Sequence, residues 1–418
     1  MSAASASTGL WDPVRHEALR PIAWNEAHAR EMIERIVRDT EKAWSSERHW
    51  PLHPNDVEGD DDPAVVATSL DFGAAGVVWA LHRLRDIGAA RLTRDYGPVL
   101  STLIALNHAW LAMATQSPER ERASYLMGDL PILMMQFGAS PTASTADAIA
   151  SLIEGNIDHP ARELMWGSPG TLLASALMHR RTGDERWAAS YRRTAARLWS
   201  QLEWNDEHRC AFWTQDLYGK RTNYIDAVHG FVGTALPLIK GRHLLDEADW
   251  KRWQDCIANT IRRTAVRDGL RANWRPWLLP TPAALRKPMF VQYCHGAPGF
   301  VINLADFPDA SLDELLIAGG ATTWSAGPLT KGSNLCHGTG GNGYAFLKLF
   351  ERTGDRRWLD RARAFAMHGI EQTDADRARF GQLRYSLWTG DLGFAMFLWD
   401  CIRERAEFPT LDVFFTAA

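Results

Sequence analysis

The chain has 418 residues, 46% hydrophobic and 23% charged, which is enough for a large buried core. Its 46 basic and 50 acidic residues give a net charge of −4 without a basic block, which argues against a nucleic-acid-binding surface. No run approaches the roughly 18 uninterrupted apolar residues of a membrane span, and five cysteines, an odd number, do not indicate a disulfide scaffold.

The first 62 residues are predicted to form an N-terminal helix and loop that pack on the domain formed by residues 63–418. They include an acidic run from Glu58 to Asp62 and lack the apolar stretch of a secretory signal peptide. Together with the cysteine count, this predicts a cytoplasmic protein.

From residue 73 onward the chain is a repeat, in which a pair of glycines three positions apart precedes an apolar stretch. A degenerate copy, Gly128 to Pro131, fills the long gap between the first and second complete copies. The complete copies begin at Gly73, Gly167, Gly230, Gly296, Gly338 and Gly390. Such self-similarity over about 320 residues predicts seven equivalent units.

Two units reveal the structure that the glycines introduce. After Gly167 and after Gly338, the glycine of a Thr-Gly-Asp turn stands sixteen positions further on. This glycine suits the left-handed position that ends a helix, and Asp184 or Asp355 suits the N-cap of the next helix. Each unit is therefore predicted to be a pair of helices joined by a short turn.

The two helices of a unit differ in polarity. The first is apolar nearly all round and is predicted to be buried, whereas the second is amphipathic, with Trp187 and Tyr191 on one face and arginines on the other. No alternating run predicts a strand. The predicted fold is all-α: an α/α toroid of two concentric helix layers, whose seven inner helices begin at the glycines. A site is expected at that rim.

Two units carry Cys-His immediately before their glycine, Cys294-His295 and Cys336-His337. In a toroid these pairs occupy equivalent places on neighbouring inner helices, so their side chains converge. Thiolate and imidazole suit Zn²⁺, which predicts one zinc ion per chain. Whether His295 is a fourth ligand stays open, as does the alternative of small buried cysteines beside capping histidines.

A third unit has a histidine at the matching position, His229, but valine in place of the cysteine. An imidazole at the same rim without a neighbouring thiolate is better suited to act as an acid or base than as a ligand. A buried structural histidine is the alternative.

Three blocks, QYCHGAPG, LCHGTGGNGYAFL and ELMWGSPGTLLA, resemble the signature blocks of the lanthionine synthetase C (LanC) family, especially its stand-alone LanC-like branch. The resemblance covers nearly the whole chain. It implies that Cys294, Cys336 and His337 hold the zinc ion, with the fourth position open to a substrate thiol. It also implies that His229 protonates the enolate formed when the thiol adds.

The resemblance assigns two further residues. Glu163 stands where lantibiotic cyclases have an aspartate, and could orient His229. Lys331 matches a lysine of the LanC-like branch, and could hold a substrate carboxylate or stabilise the enolate oxygen. A buried structural carboxylate and a solvated surface lysine are the alternatives. Tyr293 and Phe290 depart from the family, which has tryptophan and, in lantibiotic cyclases, arginine at these positions.

The predicted function is zinc-dependent addition of a thiol to dehydroalanine or dehydrobutyrine. The thiol would come from a peptide cysteine or from glutathione, and the electrophile from a dehydrated peptide or protein. Two alternatives remain: a zinc-stabilised scaffold without catalysis, and a sugar-processing toroid. The latter would use tryptophan platforms, for which Trp166, Trp274, Trp277 and Trp388 are candidates.

Overall fold

The computed structural model describes residues 9–57 and 66–415, so the acidic run at Glu58–Asp62 lies outside the described residues. The α-helices are α1 (Glu26–Ala43), α2 (Ala74–Asp86), α3 (Leu100–Ala114), α4 (Pro118–Glu121), α5 (Leu130–Ala139), α6 (Ala143–Gly155), α7 (Ser168–Thr182), α8 (Glu185–Ser200), α9 (Phe231–Lys240), α10 (Glu247–Thr264), α11 (Pro282–Leu285), α12 (Ala297–Leu304), α13 (Asp313–Ala326), α14 (Thr339–Thr353), α15 (Arg356–Phe380) and α16 (Asp391–Arg403). Short 3-10 turns span Pro13–Arg15, Pro54–Asp56, Gly97–Val99, Arg242–Leu244 and Ala310–Leu312.

The inner layer consists of the seven helices that begin at the glycine of a unit, namely α2, α5, α7, α9, α12, α14 and α16. Their burial follows from their all-apolar sequences, and α7 is buried without interruption from Ser168 to Met178. The last inner helix, α16, packs against the first, α2, which closes the ring. The prediction of an α/α toroid with seven inner helices is confirmed.

The outer layer consists of α3, α6, α8, α10, α13 and α15, together with α1. The pattern is clear in α8, which buries Trp187, Tyr191 and Leu198. Helix α1 packs against α16 and so supplies the outer helix of the seventh unit from the N-terminal part of the chain.

The Thr-Gly-Asp turns have the predicted geometry. Gly183 and Gly354 end α7 and α14 in the left-handed conformation, with φ of 69° and 68°. The side chains of Asp184 and Asp355 accept hydrogen bonds from the first turns of α8 and α15. Both predicted caps are confirmed.

Backbone hydrogen bonds link the units at the glycine rim. They join residues that stand two or three positions before each glycine, and the donor and acceptor pairs are Leu70 and Leu126, Leu126 and Met165, Leu164 and Val228, Cys294 and Cys336, Cys336 and Trp388, and Trp388 and Asp71. Between the units of Gly230 and Gly296 the contact is direct packing, since a Cβ on Gly299 would lie 2.4 Å from that of Ala227. The rim therefore requires glycine and is held in register all round.

The structure adds strands that were not predicted. They are β1 (Glu203–Asn205), β2 (Cys210–Phe212), β3 (Gln215–Leu217), β4 (Lys220–Thr222), β5 (Val266–Asp268) and β6 (Arg271–Asn273), paired as three antiparallel hairpins. Three residues are too few to show an alternating pattern, which is why these strands leave no signal in the sequence.

One described helical stretch, Gly97–Ala114, has the length and apolar composition of a membrane span, and 22% of it is buried. A single stretch of this kind is weak evidence for a span, because helices of soluble proteins meet the same criterion.

Candidate metal centre and acid–base pairs

Three predicted metal ligands meet at the glycine rim. Cys294 lies in the turn before α12, and Cys336 and His337 lie in the turn before α14. Their ligand atoms, two Sγ atoms and an imidazole nitrogen, all lie within 4.8 Å of one another. Zn²⁺ binds sets of thiolate and imidazole donors of this kind.

Backbone contacts fix the two turns against each other. The Cys294 amide donates to the Cys336 carbonyl at 3.1 Å, and the Cys336 amide donates to Trp388 at 2.9 Å. Asn334 Oδ1 accepts the His337 amide at 3.0 Å. The backbone of three adjacent units therefore positions the three ligands.

The two thiols form one coupled pair. The hydrogen bond from Cys336 lowers the pKa of Cys294, and the same interaction together with burial raises the pKa of Cys336 well above its ordinary value. Gln292 Nε2 also donates to Cys294 Sγ at 2.9 Å, which favours a thiolate there. Both contacts therefore favour the thiolate form of Cys294.

The third ligand is neutral at physiological pH. Burial, aided by the positive charges of Arg384 and Lys331, lowers the pKa of His337 to about 3. Metal ligation requires a deprotonated imidazole and thiolates, so these protonation states fit a zinc ion.

Glu163 and His229 form a buried pair. The Glu163 side chain is fully buried, and its Oε2 lies 2.9 Å from His229 Nδ1. Glu163 also accepts the amides of Met165 and Trp166, which fixes its position. Burial alone would lower the pKa of His229, but the hydrogen bond and charge of Glu163 outweigh it and raise that pKa. The structure thus joins these two predicted residues.

A second pair of this type was not predicted. His295 Nδ1 lies 2.7 Å from Oδ2 of the fully buried Asp226, and His295 is not part of the group of three ligand atoms. Burial opposes the charged imidazole, but the Cys294 sulfur and Asp226 raise the pKa of His295 to about 9. The signal was in the sequence, because Asp226 stands four residues before Gly230, as Glu163 stands four before Gly167.

Lys331 lies at the edge of the site. Its side chain is exposed, and its charge acts on His337. It lines a small cavity with Ser333, Asn334 and Arg384 rather than making a direct bond to the two acid–base pairs.

An arginine from the N-terminal segment reaches the site, and no sequence pattern predicted it. Arg15 lies over the ring of Phe290 at 4.5 Å, and its Nη2 donates to Gln292 Oε1 at 2.5 Å. The segment is held by backbone bonds from Thr330 to Arg15 and from Glu17 to Pro328. A guanidinium is thus present beside Phe290.

Comparisons with known proteins point to one family. The family model described as lanthionine synthetase C-like protein matches residues 139–413. Glutathione S-transferase LANCL1 of Danio rerio is 34% identical over 137 residues, which cover 30% of this chain and 32% of that protein. LanC-like protein GCL1 of Arabidopsis thaliana is 42% identical over 133 residues, covering 29% and 30%. The chain therefore aligns with about a third of the length of these relatives.

Among solved structures, nisin cyclase is similar in fold. The TM-score is 0.53 at 14% sequence identity, and the superposition covers 91% of this chain and 100% of that one. At this identity the likeness concerns the toroid architecture alone.

Proposed function

This chain belongs to the lanthionine synthetase C-like family, and from that membership we propose that it forms thioethers by adding a thiol to dehydroalanine or dehydrobutyrine residues. The observation that carries the proposal is the meeting of Cys294, Cys336 and His337 at the rim, next to the units that hold His229. The thiol would be that of glutathione or of a peptide cysteine. The name of the Danio rerio relative, a glutathione S-transferase, supports glutathione.

The proposed metal ligands are Cys294, Cys336 and His337, with one zinc ion per chain. A free thiol has a pKa near 8.5, so only a few per cent is thiolate at neutral pH. A zinc ion held by these three residues would lower that pKa and supply the thiol as a thiolate.

The addition itself needs a proton donor. When the thiolate sulfur bonds to the β-carbon, the electron pair of the carbon–carbon double bond moves towards the amide oxygen and leaves an enolate. Glu163 holds His229 through Nδ1, which leaves Nε2 as the nitrogen that would donate its proton to Cα. The thiol's own proton leaves to solvent, so the net change is addition of S–H across the double bond.

Positive charge at the rim supports the same chemistry. Arg15 and Lys331 both act on His337 electrostatically and so lie near the cluster. Either group would attract the carboxylates of an anionic thiol such as glutathione, or stabilise the enolate oxygen.

A sugar-processing function has less support. Trp274 and Trp388 are fully buried, so neither can serve as a sugar platform. A zinc-stabilised scaffold would share the cluster but would not need the buried Glu163–His229 pair.

The test is incubation with glutathione and a dehydroalanine peptide, followed by mass analysis. We expect the wild type to form the adduct faster than the uncatalysed reaction, and Cys336→Ala to lose that acceleration. Cys256→Ala, a partly exposed cysteine outside the cluster, is the matched control and should behave as wild type. A wild-type rate equal to the uncatalysed rate would contradict the proposal.

A further inference from the structure

Asp71 occupies the position in its own unit that the two cysteines occupy in theirs. It stands two residues before Gly73, as Cys294 and Cys336 stand two residues before their glycines. Its carbonyl accepts the Trp388 amide at 2.9 Å, and the Trp388 carbonyl in turn accepts the Cys336 amide at 2.9 Å. Asp71 therefore belongs to the same hydrogen-bonded rim as the candidate metal ligands, two units away from Cys336.

The Asp71 carboxylate lies close to these ligands and to His229. It interacts electrostatically with the sulfurs of Cys294 and Cys336, and with the His229 imidazole. Because these three residues belong to three other units, a carboxylate within electrostatic reach of all of them lies towards the centre of the rim. Its oxygens are not in the group of ligand atoms that lie within 4.8 Å of one another. Asp71 is thus near the candidate metal centre without being one of its ligands.

Asp71 differs from the other buried carboxylates of the described residues because no described residue donates a hydrogen bond to its oxygens. The buried carboxylates that each accept at least one side-chain or backbone hydrogen bond are Glu41, Glu121, Asp129, Glu163, Asp226 and Asp400. A buried carboxylate without a donor loses hydration and gains nothing in return. Asp71 keeps 7% of its surface exposed, so a ligand that brings its own donor could supply the missing partner.

No cation among residues 9–57 and 66–415 pairs directly with Asp71. Arg384 acts on it electrostatically, but both Nε and Nη2 of Arg384 bond to Asp56. Burial, together with the negative charges of Asp56 and Cys294, raises the pKa of Asp71 to about 7 in spite of Arg384 and His229. A protonated amine beside Asp71 would find a carboxylate without a partner, whereas an anionic group would be repelled.

The proposed thiol substrate carries groups of both signs. Glutathione has two carboxylates and one ammonium group, and Arg15 and Lys331 supply positive charge beside the candidate metal ligands. Asp71 supplies an unpaired carboxylate near the same ligands. The ammonium of glutathione lies several bonds from its sulfur, which agrees with a carboxylate that is near the ligand atoms but outside their group. The ammonium is therefore the part of the thiol that fits Asp71.

We propose that Asp71 binds the protonated amine of the thiol substrate while the sulfur of that thiol lies at Cys294, Cys336 and His337. This inference rests on the proposed function. It makes the chain selective for a small free thiol that carries its own ammonium group, such as glutathione, over a cysteine within a peptide chain.

The test compares glutathione with N-acetylglutathione, whose amine is acetylated and uncharged, in adduct formation with one dehydroalanine peptide. With wild-type protein we expect KM for glutathione to be about tenfold lower than for N-acetylglutathione. Asp71→Asn should raise KM for glutathione nearly to the value for N-acetylglutathione and leave the latter unchanged. Asp86→Asn is the matched control, because Asp86 is exposed at the other end of α2 and pairs with Arg85, and it should keep the wild-type ratio.

Calorimetric binding of the two thiols without the electrophile gives a second measurement that does not depend on catalysis. The affinities should show the same preference in wild type and its loss in Asp71→Asn. Equal affinities in wild type, no binding of glutathione, or an unchanged ratio in Asp71→Asn would overturn the inference. If neither thiol forms an adduct faster than the uncatalysed reaction, the proposed function fails separately, and the binding measurement still decides the role of Asp71.

Urea unfolding without a thiol separates ligand binding from a structural role. Because no described residue bonds to the Asp71 carboxylate, Asp71→Asn should not lower the urea midpoint. A lowered midpoint would show that the carboxylate stabilises the fold, and would count against the inference.

Discussion

Histidines at one position in three successive units have three different environments. Each histidine stands one residue before the glycine of its own unit. The residue that determines its surroundings belongs to the preceding unit, where it stands four positions before the glycine. Glu163 holds His229, and Asp226 holds His295. Gln292 stands at the corresponding place before His337, but it bonds to Arg15 and to Cys294 instead. Among the residues that the structure describes, no carboxylate pairs with His337, and its imidazole is neutral, as a metal ligand needs to be.

The same register shows how much of the site could be predicted from the sequence. The three candidate metal ligands and His229 were predicted from their register in the repeat and from the family resemblance. Asp226 shares the register of Glu163 and was overlooked because the resemblance assigned a role only to the earlier unit. Which carboxylate faces which imidazole depends on the rotation between adjacent units, which a single sequence does not specify.

The Glu163–His229 pair predicts a pH effect. In the proposed reaction His229 must be protonated to donate a proton, so kcat is expected to be at its full value below the pKa of His229 and to be lost as pH rises through that pKa. Glu163 raises that pKa, and Glu163→Gln should therefore move the alkaline limit of kcat to lower pH and reduce kcat by about 10²-fold. Steady-state kinetics across pH measure both effects.

Glu314→Gln provides the control for this experiment, since Glu314 is exposed and pairs with Arg267 on the surface. An alkaline limit that stays in place in Glu163→Gln would show that Glu163 does not act through His229.

At the scale of elements, the helices that begin at glycines were predictable because the glycine pattern at each helix start is visible in the local sequence. The Thr-Gly-Asp turns were predictable for the same reason. Arg15 and Gln292 are 277 residues apart in sequence, and no periodicity links them. The place of α1 beside α16 is likewise a product of ring closure rather than of local pattern.

The N-terminal segment gives the second prediction. Arg15→Ala should raise KM for glutathione about tenfold, because it removes a guanidinium that lies beside the metal ligands and would bind a carboxylate. Arg20→Ala is the control on the same segment, since Arg20 pairs with Glu371 at the surface. Zinc content should be unchanged in both. An unaltered KM in Arg15→Ala would exclude Arg15 from thiol binding.

At the scale of the whole molecule, the C-terminal segment that follows α16 contacts several units of the ring. Phe408 packs on Tyr293, Tyr344 and Trp388, which belong to three different units. Tyr293 directly precedes Cys294, so the packing of Phe408 on Tyr293 also supports the turn that carries Cys294. The Tyr293 hydroxyl also donates to Asn303 Oδ1 at 3.2 Å.

Asp412 in the same segment lies between two lysines. It pairs with Lys240 of α9 and, at 2.7 Å, with the buried Lys348 of α14. Burial alone would raise its pKa, but the two lysines hold the pKa of Asp412 below its ordinary value. This carboxylate therefore stabilises the fold above about pH 4, and the stabilisation is lost as pH falls through its lowered pKa.

Asp412→Asn should lower the free energy of unfolding by about 3 to 5 kcal/mol at pH 7, because it leaves Lys348 buried without its partner. Urea unfolding measures the change. Asp255→Asn, which breaks an exposed pair with Lys251, should cost less than about 1 kcal/mol. Equal effects of the two substitutions would show that the ion pairs of Asp412 with Lys240 and Lys348 do not stabilise the ring.

The proposed chemistry depends most on a metal held by three protein ligands with one position left for a thiol. X-ray absorption of the zinc-loaded protein tests this directly. We expect two sulfur ligands, from Cys294 and Cys336, and a third sulfur when glutathione is added. Two sulfurs and two imidazole nitrogens that do not change with glutathione would mean that His295 closes the shell, and would contradict the proposed chemistry.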